Sequence, residues 1–370
     1  HRDLHYPLRR QRQMCIRDSV KIECIDKELN VKCNPNKGYC VNSKRFVPVE
    51  LADVAGLVEG ASEGKGLGNQ FLDDLTGADA LIHIVDVSGE TDAEGKETKD
   101  YNPSEDVKML ERELDLWYLG ILKKAWKTFT KKIQIEKRNF AEAIASQFSG
   151  LKVKEFHVKE VILRLGFNPE RPADWSEEEI KKFANELRHT SKPMLIAANK
   201  IDRPVGGKNY NKLKEDFPHL KIVPCSADSE LALREASKAG LIEYVPGEAD
   251  FKIKGDLNDK QSIALDKIKK EVLDKYENGT GVQYVLNSVV FDLLKYIAIF
   301  PAGSKLTDSK GNVLPDCFLL PKGSTALDFA YYLHTDIGDN FVKAIDIRTK
   351  KAVGKEHKLN HRDGLEILTR

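Results

Sequence analysis

PMLIAANKID, from Pro193 to Asp202, is the stretch on which the fold turns. Its apolar residues run on without alternation and then give way to Asn199, Lys200 and Asp202. A strand covered on both faces reads this way, and such strands belong to parallel sheets flanked by helices. Three other runs have the same character: FVPVELADVAGL from Phe46, ALIHIVDVSG from Ala80 and IVPCSAD from Ile222. Helical patterns lie between them, so an α/β domain with a parallel sheet is predicted. Ligands of such sheets bind beyond the carboxyl ends of the strands. The residues at those ends are Asp53 to Gly56, Asn199 to Asp202, and Ser226-Ala227.

Each of these has its own chemistry. A carboxylate accepts two parallel hydrogen bonds, and guanine offers two adjacent donors, N1–H and the 2-amino group, so Asp202 is the candidate reader of the base. Adenine has no such pair there. A site built for paired donors rejects a ligand lacking them by on the order of 10⁴-fold. Asn199 is expected to brace the loops and the Lys200 stem to lie over the ring. Ser226-Ala227 is expected to give a backbone N–H to the guanine carbonyl. Asp53 suits a magnesium ion held through water, and Gly56 lets a backbone N–H approach a γ-phosphate. The bland alternative is that Asp53 and Asp202 cap turns and Gly56 ends a strand.

Around this centre, 370 residues call for two to three domains at about 150 residues each. Lys and Arg number 59 against 58 Asp and Glu, so no global field draws the chain to nucleic acid and any basic surface is local. No apolar window reaches the ~18 residues of a membrane span. Residues 1–19, rich in Arg and Gln, have neither helical nor strand periodicity and read as non-native or disordered sequence. About a hundred residues separate the second and third strands. There Leu122, Trp126, Phe129, Ile133, Phe140 and Ile144 fall on one helical face, and Ser176 is placed to cap a helix into Leu187. A helical subdomain inserted at 105–189 is predicted, within a domain spanning 20–104 and 190–299. QSIALDKIKKEVLDKY and VQYVLNSVVFDLLKYI read as later amphipathic helices. Residues 300–370 read as a small sheet crossed by one helix, TALDFAYYLH.

The six cysteines show no C-x-x-C pair and point to a reducing cytoplasm rather than a disulfide scaffold. Cys24, Cys33 and Cys40 have spacings that match no zinc framework and read as three ordinary thiols. His83, inside LIHIVD, reads as a satisfied core residue.

The run DVAGLVEGASEGKGLGNQFLDDLTGADALIHIVDVSG, Asp53 to Gly89, resembles the second switch and following strand of the YchF-like branch of the Obg GTPases, in its archaeal form. LEREL, KPMLIAANKID and LALREASKAGLIEYVPG match as well, so the resemblance covers Val47 to Arg370. LPKGSTALDFAYYLHTDIG, Leu320 to Gly338, is similar to the core of the ubiquitin-like β-grasp TGS domain. The resemblance implies a P-loop-NTPase-type α/β G domain with a helical insertion and a C-terminal TGS domain. It implies GTP hydrolysis to GDP with Mg²⁺ in a ribosome-associated protein; with the cysteine and apolar patterns above, the expectation is a cytoplasmic protein without membrane attachment, of unknown oligomeric state with a monomer favoured. The sequence departs from the pattern in lacking a G-x-x-x-x-G-K-[ST] phosphate loop and the Thr of the first switch. The expectation is therefore a G domain that lacks its first strand and phosphate loop, with impaired catalysis. Leu57 stands where many GTPases place a water-orienting Gln, so no catalytic residue is assigned.

Lys123 to Arg138 is the densest basic segment, and Lys124, Lys127 and Lys131 are candidate contacts to RNA phosphates, with a solvated charged face as the alternative. Two rival functions stand beside a GTPase: a non-enzymatic binding remnant of RNA or protein, and an ATP-preferring relative. The intact Asn199-Lys200-Ile201-Asp202 weighs against the second.

Overall fold

The computed structural model describes residues 15–54, 60, 75–303, 305–308 and 310–370. These fall into two compact units. The first carries Glu50–Ile196 and Lys208–Ile222; the second carries Arg17–Val49, Ala197–Gly207 and Val223–Arg370. Gly56, Leu57 and the Ala61 to Gly66 stretch lie outside the described residues.

Strand β1 is Cys15–Glu23, β2 Tyr39–Val41 and β3 Lys44–Ala52, in the sheet order β1-β3-β2. Residues 15–19 lie in the strand that runs on into the buried Val20 and Ile22. Strand β3 was expected beside the other apolar strands. It sits instead between β1 and β2, because Asn42 and Ser43, at φ 51° and 60°, form a two-residue turn that sets Val41 opposite Lys44. Two successive left-handed residues match the right-handed twist of a hairpin.

The other predicted strands are β4 (Leu81–Asp86), β5 (Met194–Asn199) and β6 (Lys221–Pro224), which form one sheet in that order. Met194 to Ala198 are each at most 4 % exposed, as a strand covered on both faces demands.

Within the first unit, helices Ser104–Glu136, Phe140–Gln147, Glu155–Leu165 and Glu177–Ser191 pack around one core. Trp126, Phe140, Trp175 and Phe183 meet at centroid separations from 5.2 to 6.2 Å, edge-on or tilted as ring quadrupoles prefer. The apolar stripe predicted for one helix is divided between two. The chain breaks at Lys137, left-handed at φ 50°, and restarts on the Asn139 side chain, which accepts the Glu142 N–H. Ser176 caps its helix in a reciprocal box: its hydroxyl accepts the Glu179 N–H at 3.2 Å while the Glu179 carboxylate accepts the Ser176 N–H at 2.7 Å. Arg188, 1 % exposed, is neutralised in this unit by Asp115 at 2.8 Å and Glu111 at 3.4 Å.

In the second unit β7 (Ile242–Glu243) pairs with β8 (Lys252–Ile253). VQYVLNSVVFDLLKYI is not one helix. It runs as Val282–Asn287, widens into a π-helical segment Ser288–Leu293, and ends at Lys295, left-handed at φ 54°. Its last residues open β9 (Tyr296–Pro301). With β10 (Phe318–Pro321), β11 (Phe341–Asp346), β12 (Ala352–Val353) and β13 (Gly364–Thr369) this makes a five-stranded sheet, order β10-β9-β13-β11-β12. Strand β13 pairs with β9 in parallel, whereas the β10/β9, β11/β12 and β11/β13 pairings are antiparallel. Thr325 and Asp328 box the start of helix Ala326–Leu333, which packs Ala326 and Phe329 into one core with Ile297, Ile299, Leu320 and Leu365. Burying Phe329 completely contributes roughly 2–3 kcal/mol.

Candidate functional site

All the base-reading candidates lie in the second unit. The end of β5 is turned sharply by Lys200 at φ 63°, while the buried Ile201 anchors the loop beneath. Backbone bonds then lock this loop to the one after β6: Cys225 N–H donates to Ala198 O at 2.9 Å, and Ile201 N–H donates to Cys225 O at 3.2 Å. The Asn199 carboxamide oxygen accepts the Ala227 N–H at 3.0 Å and lies 3.8 Å from Cys225 Sγ, so Asn199 braces the two loops as its residue type suggested. Gly206 closes the turn; a Cβ there would stand 2.9 Å from the carbonyl oxygens of Lys200 and Ile201.

Asp202 is partly exposed, and its carboxylate takes part in no hydrogen bond or ion pair among the described residues. It therefore presents both oxygens as free acceptors. Its charge is felt at Cys225, whose thiol is pushed up to about 12, first by burial and then by the neighbouring carboxylate.

At Ser226-Ala227 both backbone N–H groups have partners within the protein. Ser226 is fully buried; its N–H donates to Thr280 O at 2.9 Å and its hydroxyl caps helix Ala227–Lys238. The Ala227 N–H is held by Asn199. Neither N–H stands idle for a guanine carbonyl, and one reaches it only by sharing or exchanging its partner. The physical reason is that an amide next to a buried loop is satisfied within the protein.

Sequence reasoning missed what holds this loop from behind. Glu230, 3 % exposed, accepts from Thr280 Oγ1 at 2.5 Å, Tyr244 OH at 2.8 Å and Arg234 Nε at 2.6 Å. Burial, then the Glu230 charge, drives the Tyr244 hydroxyl far up. Gly281, at φ 78°, admits Pro224 O to within 2.0 Å of where a Cβ would be. The Gly279-Thr280-Gly281 turn was the one available signal.

In the first unit, Asp53 lies exposed just past β3 and makes no hydrogen bond or ion pair among the described residues, a free hard oxygen donor of the kind magnesium takes. Lys124, Lys127 and Lys131 are exposed on helix Ser104–Glu136, opposite the buried Leu122, Trp126 and Ile133. The helix ends before Lys137 and Arg138, and Lys123 is paired with Glu177 at 2.5 Å, so the cationic face is shorter than the sequence segment. His83, expected as a satisfied core residue, has its Nδ1 buried without a partner among the described residues.

Comparison with known proteins gives this arrangement a family. The G4-motif-containing domain of the Obg-like GTPase YGR210-like family matches residues 197–303, which include the whole base-reading loop. The 50S ribosome-binding GTPase family matches 25–113 and the TGS domain 297–369. The uncharacterized GTP-binding protein MJ1332 of Methanocaldococcus jannaschii is 46 % identical over 348 residues, 94 % of this chain and 87 % of that protein. The chain belongs to the Obg-like GTP-binding proteins.

Other members agree. The uncharacterized GTP-binding protein C428.15 of Schizosaccharomyces pombe is 35 % identical over 83 % of this chain and 78 % of its own. The crystal structure of a GTP binding protein from Pyrococcus horikoshii OT3 superposes with a TM-score of 0.78 at 40 % identity, covering 96 % of this chain and 92 % of that one. The Obg-like protein is thus an α/β P-loop GTPase domain with parallel sheet, helical insertion and TGS domain. The expected YchF-like branch is replaced by the YGR210-like one. The ribosome-binding ATPase YchF of Bacillus subtilis is a more distant relative, 29 % identical over 54 % of both chains.

Proposed function

We propose that this Obg-like protein is a guanine-nucleotide switch that hydrolyses GTP and acts on the ribosome or on RNA. The observation that carries the reading is the free carboxylate of Asp202 on a loop clamped by Asn199 and Ile201. Two unsatisfied acceptor oxygens in a fixed place fit the paired donors of guanine. Lys200 flanks the ring, and Ser226-Ala227 forms the opposite lip.

Asp53 would hold Mg²⁺ through water, and the ion supplies neutralisation of charge on the phosphate oxygens when bound. Gly56 would meet the γ-phosphate. The ribosomal role is supported by the matched family's description and by the exposed cationic face at Lys124, Lys127 and Lys131. Some distant relatives are named ATPases; the Asp202 carboxylate favours guanine here.

Asp202→Asn tests the assignment. An amide donor suits the C2 carbonyl of xanthine, so GTP affinity should fall by on the order of 10²–10⁴-fold while XTP binding appears. Wild-type GTP affinity in the variant, with XTP still excluded, removes Asp202 from base recognition. Tight ATP binding by the parent chain removes the guanine reading itself.

A further inference from the structure

Cys24, Cys33 and Cys40, unremarkable by spacing, are brought together by the fold. Cys24 follows β1, Asp26 lies two residues on, Cys33 is on the loop and Cys40 is on β2. One ligand atom from each of the four falls within 4.8 Å of all the others. Cys24 Sγ and Cys33 Sγ are 3.7 Å apart, and Cys40 Sγ is 4.0 Å from Asp26 Oδ2. Two sulfurs bound at ~2.3 Å to one tetrahedral zinc stand roughly 3.8 Å apart, so the thiols already have the separation of a shared ion. None is in a disulfide.

Asp26 adds a second anomaly. It is 5 % exposed, one oxygen accepts the Lys27 N–H at 2.8 Å, and no ion pair neutralises it among the described residues. A buried carboxylate without a cation is costly, and a metal beside its other oxygen removes that cost.

We propose that Cys24, Cys33, Cys40 and Asp26 form a four-coordinate structural zinc site. Three sulfur donors select a borderline-soft ion such as Zn²⁺ over Mg²⁺ or Ca²⁺. Four protein ligands leave no open position, which separates a structural site from a catalytic one. On binding, each thiol releases its proton to solvent, up to three in all, and three Zn–S bonds and one Zn–O bond form without any change of oxidation state.

The loop that the ion would shape has a clear task. Asn34 and Asn36 donate their N–H groups to Val313 O at 2.8 Å and Pro315 O at 2.9 Å. The Asn36 carboxamide also bonds Asp308 and Asn312, at 3.1 and 3.0 Å. From β3, the buried Arg45 grips Leu314 O and Pro315 O. The loop is thus the seat for the segment leading into β10 of the TGS sheet, and the metal would set it. This inference is independent of the nucleotide reading, and its test reads no nucleotide.

The full chain, expressed with zinc and purified without chelator, should hold about one zinc per chain by plasma mass spectrometry. After stripping, Co²⁺ should restore an intense tetrahedral spectrum with a thiolate charge-transfer band in the near ultraviolet. Cys33→Ser and Cys40→Ser should each lose the metal. Because such variants can unfold, the wild-type cobalt spectrum decides independently, and in Asp26→Asn its ligand-field band should move. A metal-free wild type giving only the weak spectrum of six-coordinate cobalt overturns the site, as does a Cys24–Cys33 disulfide in the freshly purified chain, or zinc retained in full by a Cys24→Ser/Cys33→Ser double variant. Where the site is right, chelation should also speed tryptic cleavage at the exposed Lys27, Lys32 and Lys37 of the loop.

Discussion

Replacing His83 by Leu should flatten the acid limb of the first unit's stability. His83 sits in β4 with Nδ1 buried and, among the described residues, unpartnered; burial lowers its pKa to about 4, with Glu111 opposing. In the unfolded chain the same imidazole titrates near 6.5. Between these values the unfolded state binds more protons than the folded one, so stability falls as pH drops through 6.5 toward 4. At pH 7 the term is about 0.2 kcal/mol; at pH 5 it reaches about 2 kcal/mol, and its partial exposure makes this an upper figure. The assay is urea unfolding of wild type and His83→Leu at both pH values, followed by tryptophan fluorescence. Trp117, Trp126 and Trp175 are the chain's three tryptophans and all lie in the unit that carries His83. Wild type should lose about 2 kcal/mol more than the variant between pH 7 and pH 5. The comparison cancels every other titrating group common to both. Equal losses would falsify the claim that an uncompensated imidazole is buried in β4.

Two further outcomes follow from the same geometry. Gly281→Ala places a methyl 2.0 Å from Pro224 O at a left-handed φ, so it should displace the Ser226 loop and weaken guanine-nucleotide binding by well over tenfold. Gly240→Ala, at φ 75° with nothing within 4 Å, should cost only about 1–2 kcal/mol of stability and leave nucleotide affinity alone; equal affinities for both variants would break the link between Gly281 and the base loop. Changing Lys124, Lys127 and Lys131 to Gln should flatten the salt dependence of RNA or ribosome binding by roughly two units of slope. An unchanged slope in filter binding across a salt series assigns that helix face to solvent.

What could be read in the sequence was local. Pro193 to Asp202 declares a two-sided buried strand and its polar end by composition alone, and Ser176 with Glu179, or Thr325 with Asp328, declares a helix start within four residues. What could not be read depended on partners far along the chain or on one residue's backbone. Nothing in the phase of Ile133, Phe140 and Ile144 reveals a break, because a lysine at 137 adopts the left-handed geometry usually given to glycine. Leu294-Lys295 ends a helical pattern for the same reason. At the site, Asp202 and Asn199 were legible as chemistry, but Glu230, Tyr244 and Thr280 were not: a buried carboxylate with three donors is assembled from residues up to fifty positions apart. Cys24, Cys33 and Cys40 fail as a motif because the Asn42-Ser43 hairpin, not their spacing, brings them together.

The run from Gly281 into β9 has a mechanical meaning. Thr280 takes the Ser226 N–H, Gly281 lies against Pro224, and the chain then climbs twelve helical residues, Val282 to Leu293, before Lys295 turns it directly into the first strand of the TGS sheet. At roughly 1.5 Å per residue that is a rod of about 18 Å, with no slack tether at either end. One end rests against Pro224 and Ser226, beside the candidate base-reading loop, and the other carries the β-grasp sheet. A pull on that sheet would reach Ser226-Ala227 through this shaft, whose α-helical hydrogen bonding is interrupted by the π-helical segment Ser288–Leu293.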